Sequence, residues 1–533
     1  MNKERLYLFD TTLRDGAQTA GIEFSLEDKI AVMRLLEELG VDYVEGGFPG
    51  ANVVDDAFFS ENRTRQATFT AFGMTKRAGR SVGNDPGVQA VINSAASAAC
   101  YVGKSSAAQV ELTLGISLDE NLRSLRDTIA ATAAAGKEVL IDCEHFFDGY
   151  KTDPSYALRF VETALEAGAR WVVLCDTNGG TMPAEIEEII GAVLEVAPGG
   201  KLGIHAHDDT GQAVANTLAA VRAGVRQVQG TLNGIGERCG NANLVTLIPT
   251  LMLKPWFADR FQTGVLPEQL ARLTSISRTF DELLNRAPAR QAPYVGASAF
   301  ATKAGIHASA LAKDPSTYEH VPPETVGNER SVMVSQQAGK SNLLTALKRH
   351  GIPLAKDDPR IDKLLRTVKE REARGYSYEG ADASFAILAH SILGTLPEFF
   401  EVESYRASVE RRHNARGERI TVTEAVVKIR IGDELLMSVA EGNGPVNALD
   451  LALRKDLGKY SDRIGDLELV DFKVRILDGG TGAVTRVLVE SRDGTGERWY
   501  TIGVSPNIID ASFEALYESI AYKLMKTETR AAA

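Results

Sequence analysis

The stretch His205-Ala206-His207-Asp208-Asp209 closes a short apolar run, Lys201 to Ile204, and sets two imidazoles two residues apart. On a β-strand, residues i and i+2 project from one face, so both rings can reach a single ion. A helix would turn them about 200° apart. The run is too short for a helix and is followed at once by acids and the turn residues Thr210 and Gly211, which favours the strand. Histidine is scarce, 8 in 533 residues, and two of the eight stand here. Two ring nitrogens leave a divalent ion short of ligands, so oxygen donors must come from elsewhere. Asp15, in the dense polar turn Asp10-Thr-Thr-Leu-Arg14-Asp15-Gly16, is such a donor. It would complete a two-histidine, one-carboxylate set, with an amide or water beside it and positions open for substrate. An ion held this way polarises the carbonyl of a chelating 2-oxo acid. Arg14 could neutralise charge growing on that oxygen, and Glu144, read as buried, could manage protons. The residue types alone point to metal-assisted chemistry on an oxyacid.

The elements that must position these residues alternate in type. Leu6 to Phe9 reads as a buried strand and is followed by a helix that Ser25 caps, with apolar positions Ile30, Met33, Leu36 and Leu39 and a closing Gly40. Further strands are expected at 41–44, 67–72, 98–102, 138–142, 171–174, 202–207 and 225–229. Helical patterns lie between them, the clearest at 118–134, 154–166, 183–196 and 212–223. Eight strand-then-helix units in roughly 265 residues predict a (β/α)8 barrel, whose active sites lie at the C-terminal ends of the strands. The polar residues obey that rule. Asp10, Arg14 and Asp15 follow the first strand, Glu45 the second, Glu144 and His145 the fifth, and Asp176, Thr177 and Asn178 the sixth. His205 and His207 end the seventh, and Asn233, Glu237, Arg238 and Asn241 follow the eighth.

The fold class expected is therefore α/β, with three parts: a catalytic barrel over 1–265, helical linker or lid subdomains over 266–382, and a C-terminal α+β domain over 383–533. In the middle part 266–284 is helical, 286–305 is rich in Pro, Ala and Gly, and His307 stands in this irregular region. From about Ala383 the pattern becomes strand-like. Met437 to Pro445 with its following helix parallels Tyr500 to Pro506 with its own, a period of 61 residues. Each copy reads as three strands and a helix, and two such copies predict a small-molecule or dimerisation module. Gly103-Lys104-Ser105 and Gly339-Lys340-Ser341 resemble the end of a phosphate loop, but Ala98 and Val334 stand where the earlier glycine is required, so neither is one.

A net charge of −12 and a pI near 5.4 argue against nucleic acid or an anionic membrane as partner. No apolar run approaches the roughly 18 residues of a membrane span, and the charged N-terminus lacks a signal-type apolar stretch. Cys100, Cys143, Cys175 and Cys239 lack CxxC spacing and read as reduced thiols. A cytoplasmic location is expected.

Three motifs in order, Asp10 to Gly16, His205 to Asp209 and Gly234-Ile-Gly-Glu-Arg-Cys-Gly-Asn241, resemble the DRE-TIM metallolyases, in particular the isopropylmalate, homocitrate and citramalate synthases. The resemblance extends over the linker and the repeated C-terminal segment, which is similar to the regulatory domain of isopropylmalate synthases. Ala17-Gln18 and Glu45-Gly-Gly-Phe-Pro-Gly50 resemble the citramalate synthase branch. The resemblance implies an acyltransferase that joins acetyl-CoA to pyruvate in a Claisen-type addition and hydrolyses the thioester, giving (R)-citramalate and CoA on a route to isoleucine. It implies Asp15, His205, His207 and Asn241 as ligands of a divalent cation (Zn2+, Mn2+ or Mg2+), Arg14 as the oxyanion and keto-acid residue, Glu144 as an active-site acid, and Thr177 as a contact of the keto-acid carboxylate. His307 and Tyr318 match linker residues that the family places over a neighbouring subunit's site, which implies a homodimer. The resemblance leaves Glu144 and His307 as candidates for the base that activates the acetyl methyl.

Several alternatives stay open at this point. Asp15 can cap its own turn, Asn241 can cap the helix after it, and Tyr318 can simply pack. At the level of function, 2-isopropylmalate synthase or homocitrate synthase, a metal-dependent lyase or aldolase, and a non-catalytic amino-acid sensor remain. If the C-terminal module senses isoleucine, a chain ending near residue 380 should lose inhibition.

Overall fold

The computed structural model describes residues 3–532 except 285, 287, 303, 304, 333–339, 356, 379, 380, 414 and 478–482. Lys303 and Ala304, which open the segment around His307, and Gly339 of the second glycine-lysine-serine stretch lie outside the described residues. The chain divides into two compact units, one of residues 1–300 and 320–330, the other of residues 301–319 and 331–533.

The first unit is a closed, all-parallel barrel of eight strands: β1 (Tyr7–Asp10), β2 (Tyr43–Glu45), β3 (Thr68–Met74), β4 (Ala98–Lys104), β5 (Glu138–Glu144), β6 (Trp171–Asp176), β7 (Leu202–Ala206) and β8 (Gln227–Gly230). They pair in sequence order, and β8 closes on β1. One helix of the outer ring follows each strand: α1 (Leu26–Leu39), α2 (Val53–Phe58), α3 (Pro86–Asn93), α4 (Leu118–Ala134), α5 (Pro154–Glu166), α6 (Pro183–Val193), α7 (Ala213–Ala223) and α8 (Leu244–Leu253). Local chemistry sets their ends. Ser25 and Asp28 form a capping box at the start of α1, and Gly40 ends it with a left-handed φ of 86°. Asp85 and Asp153 accept from the first turns of α3 and α5, each with proline at the first helical position. The main core lies between strands and helices, and a smaller one fills the lumen with Phe9, Tyr43, Ala98, Cys100, Leu140, Trp171, Val173 and Cys175. That filled lumen is a rigid floor, so the polar groups that must move or meet substrate are confined to the C-terminal rim.

Helix α9 (Leu273–Leu283) follows the barrel in the first unit. In the second unit α10 (Lys340–Arg349), α11 (Pro359–Ala373) and α12 (Asp382–Leu393) precede two antiparallel sheets. The first sheet is β9 (Glu401–His413), β10 (Arg419–Ile431) and β11 (Glu434–Gly442), followed by α13 (Pro445–Asp456). The second is β12 (Glu468–Ile476), β13 (Thr485–Arg492) and β14 (Arg498–Ser505), followed by α14 (Ile508–Ala532). The repeat of three strands and a helix is therefore present twice. The strand-like composition expected from about Ala383 is corrected: residues 382–393 are helical, and Ala383 to Ala389 are buried without a break. A helix apolar on every side carries no 3.6-residue contrast for a pattern to reveal.

Candidate active site

The turn after β1 is built by its own side chains. The Asp10 carboxylate accepts from the Thr12 N–H (2.9 Å) and the Thr12 hydroxyl (2.7 Å), and Thr12 Oγ1 in turn accepts from the Leu232 N–H (2.8 Å) of the turn after β8. The Thr11 hydroxyl donates to Glu45 (2.6 Å). Burial, with the nearby Glu45 charge adding to it and the Thr12 bonds opposing it, pushes the Asp10 carboxyl up to about 7. Between an unfolded value of about 4 and this one, the folded chain holds a proton that the unfolded chain has released, so stability falls as pH rises through that window. Asp10→Asn is expected to flatten that part of the profile, read from thermal midpoints between about pH 4 and pH 7.

Arg14 is held from three sides. Its Nε donates to Glu45 (2.7 Å), Nη1 to Asp15 (2.9 Å), and Nη2 lies 3.5 Å from Asp142, while the guanidinium carbon sits 4.1 Å from the Phe72 ring centroid. Burial alone would weaken its hold on the proton, but Glu45, Asp15 and Asp142 overcome that and raise its pKa. The Glu45 carboxyl is itself pushed up by burial, against the pull of Arg14. Glu45, Cys100 and Asp142 come close enough to suit a metal ion, yet Arg14 already supplies the positive charge there. Lys29, buried on α1, donates to the carbonyls of Leu13 (3.3 Å) and Gly46 (2.8 Å) and pairs with Asp55. It therefore fixes the loop carrying Arg14 to the loop after Glu45.

Beside Arg14 the structure brings Asp15, His205 and His207 together, with ligand atoms within 4.8 Å of one another, all three residues buried. His205 Nε2 and His207 Nε2 are 3.1 Å apart and lie 3.5 and 3.7 Å from Asp15 Oδ2. Asp15 does not cap its turn. Burial would raise its pKa, but Arg14 and then the two imidazoles hold it well below the usual carboxylate range. Asn241 is not a helix cap either. Asn243 caps α8, while Asn241 Nδ2 donates to Asp15 Oδ1 (2.9 Å) and Asn241 Oδ1 is buried with no hydrogen-bond partner among the described residues. Arg238 Nη2 lies 2.6 Å from His207 Nδ1, and Gln229 Oε1 lies 2.9 Å from His205 Nδ1. A carboxylate, two imidazoles and an orphaned amide oxygen converging in a buried space are a donor set that a divalent cation fits.

The glycines of the motif from Gly234 to Asn241 explain how Asn241 reaches the centre. Gly236 has φ 157°, and a Cβ there would stand 2.1 Å from Asn241 Nδ2; Gly240 has φ 92°, and its Cβ would stand 2.0 Å from the Gly234 carbonyl oxygen. Gly240→Ala is expected to cost about 1–3 kcal/mol in thermal unfolding and to weaken Mn2+ binding by displacing Asn241.

The remaining residues divide. Thr177 lies on the rim, its Oγ1 accepting from the His145 N–H (2.8 Å) and its carbonyl from Arg238 (2.8 Å). Glu144 corrects the expectation of a buried acid, because its side chain is 27% exposed and pairs with Lys104. Besides Asp15, the buried acids beside Arg14 are Glu45 and Asp142. Asp142 interrupts the apolar run Val139 to Cys143 and shares the inward face with Leu140 and Glu144, a period-two signal present in the sequence. His307 and Tyr318 belong to the second unit, where their rings stack at 4.2 Å, with Tyr318 half exposed. Asp176 is buried and accepts from Thr181 and Asn216.

Comparison with known proteins gives three family matches: HMGL-like over residues 5–276, homocitrate synthase post-HMGL domain-like over 294–375, and LeuA allosteric (dimerisation) domain over 379–524. The (R)-citramalate synthase of Streptomyces coelicolor is 48% identical over 98% of this chain and 97% of its own length, and that of Synechocystis sp. is 47% identical over 98% and 96%. The chain belongs to the (R)-citramalate synthase family. This synthase is an acyltransferase; a 2-isopropylmalate synthase from Methylacidiphilum infernorum, covering 98% of the chain and 100% of its own length, is only 29% identical. Among the described residues of the synthase no helix is long and apolar enough to cross a membrane.

Proposed function

We propose that this synthase condenses acetyl-CoA with pyruvate and hydrolyses the thioester, releasing (R)-citramalate and CoA on the way to isoleucine. The observation that carries the reading is the convergence of Asp15, His205 and His207 next to Arg14 at one end of the barrel. The names of the relatives support the choice of pyruvate over 2-oxoisovalerate or 2-oxoglutarate. Asp15, His205, His207 and Asn241 would hold one divalent cation, Zn2+, Mn2+ or Mg2+, which when bound supplies Lewis-acid polarisation of the 2-oxo carbonyl. Asp15 keeps its negative charge for that task because Arg14 neutralises it from the side.

Arg14 commits Nε–H and two Nη groups to carboxylates, and its remaining N–H bonds are free to take the charge that grows on the carbonyl oxygen. The Thr177 hydroxyl accepts from the His145 N–H, which leaves its own proton for the keto-acid carboxylate. Proton transfer at the acetyl methyl falls to Glu144 or His307, with Tyr318 packed against the latter. Four unpaired cysteines support a cytoplasmic setting.

The test is CoA-thiol release from acetyl-CoA with pyruvate, 2-oxoisovalerate and 2-oxoglutarate in turn, each with and without a chelator. Release with pyruvate alone, lost on chelation and restored by a divalent metal, is expected. Release with 2-oxoisovalerate instead would move the chain to leucine synthesis, and none with any of the three would sink the synthase reading for this chain.

The LeuA-type domain supports a homodimer and feedback by isoleucine. Its first sheet carries an exposed apolar row, Leu435, Met437 and Val439, on the edge strand β11. A chain ending near residue 380 is expected to be insensitive to isoleucine, measured by inhibition of CoA release. Equal inhibition of full-length and shortened chains would remove the effector assignment.

A further inference from the structure

We propose that Gln229 is a positioning residue, which fixes the ring nitrogen that His205 turns toward the metal centre and takes its own orientation from Asp142. The inference rests on the reading of His205 as a metal ligand. Gln229 stands on β8, fully buried, with Oε1 2.9 Å from His205 Nδ1 and Nε2 3.2 Å from Asp142 Oδ1. The two ends of an amide have nearly the same shape, so chemistry decides which faces which partner. A carboxylate paired with arginine can only accept, so the amide NH2 must face Asp142. Oε1 is then left for His205, which must donate to it from Nδ1. A neutral imidazole that donates from Nδ1 carries its lone pair on Nε2. That is the nitrogen aimed at Asp15 and His207.

The strands β5 and β8 are not neighbours in the barrel, so this bond crosses the lumen. It joins the carboxylates that hold Arg14 to the donors that would hold the ion. Arg14, Asp142, Gln229 and His205 form one continuous chain of contacts, in which the charge on Asp142 dictates the tautomer of a histidine it does not touch. Hydrogen-bond partners of this kind typically contribute 10–100-fold in metal affinity.

The experiment is calorimetric titration of the metal-free full chain with Mn2+. Wild type is expected to bind one ion. Gln229→Met, which keeps the volume and removes both hydrogen bonds, is expected to bind it about 10–100-fold more weakly. The double change Gln229→Glu with Asp142→Asn moves the negative charge from position 142 to position 229, one step along the chain of contacts. The new carboxylate accepts from His205 and from the new amide, so affinity should return to within about threefold of wild type, which packing alone would not produce. Failure of the wild-type chain to bind Mn2+ overturns the metal reading and the inference with it. Wild-type binding together with unchanged affinity in Gln229→Met overturns the inference alone, and so does a loss that the double change leaves unrepaired. Should Gln229→Met not fold, Asp142→Asn replaces it: weak binding restored by adding Gln229→Glu supports the proposal, and wild-type affinity in Asp142→Asn overturns it.

Discussion

Arg14→Met is expected to lower kcat/KM by about 10²–10³-fold and to cost about 3–5 kcal/mol of stability. Two separate effects are combined. The first is the loss of the N–H donors proposed to take up charge on the carbonyl oxygen. The second is structural, because Asp15, Glu45 and Asp142 all contact this guanidinium and all are buried. Removing the cation leaves three carboxylates in a low-dielectric space, and breaking a buried pair from one side is far costlier than never having built it. Arg14→Lys separates the two effects. It keeps the charge but cannot reach Glu45, Asp15 and Asp142 at once, so it should restore much of the stability and little of the rate. Thermal unfolding and steady-state CoA release on the same preparations would measure both, and a Met variant that kept full activity would remove Arg14 from the chemistry.

Asp15→Ala is expected to reduce CoA release by at least about 10³-fold and to abolish binding of one equivalent of Mn2+. Asp15 is the anionic member of the proposed ligand set, and it also accepts the Asn241 amide. Without it the two imidazoles, 3.1 Å apart, and the Asn241 oxygen converge on a space with no negative charge to retain a cation. The change also frees Arg14 from one of its three carboxylates, so the loss of rate should not be accompanied by a large loss of stability. Full Mn2+ binding in this variant, by calorimetry or by loss of the free-ion paramagnetic signal, would remove Asp15 from the ligand set.

His205 and His207 were legible as a pair because strand geometry makes i and i+2 neighbours whatever the rest of the chain does. The barrel was legible for the same kind of reason: eight alternations of a short apolar run with an amphipathic helix, punctuated by caps such as Ser25 and Gly40, are local properties. The two C-terminal copies of three strands and a helix were visible in the spacing from Pro445 to Pro506. Helix α12 was not, since its buried face extends all round. The burial expected of Glu144 is not legible in the sequence, because at the rim its side chain turns to Lys104 and is 27% exposed.

The amino-acid sequence by itself determined which residues of this protein stand at strand ends, and so which side chains share one rim. Closure of the barrel alone decided which of them meet. Asp142 on β5 meets Gln229 on β8 and Arg14 after β1 only across the lumen, although up to 128 residues separate them in the chain, and Gln229 passes that contact to His205 on the neighbouring strand β7. No periodicity records a contact across a lumen, because strand geometry fixes the face a side chain takes and not the residue it will find opposite.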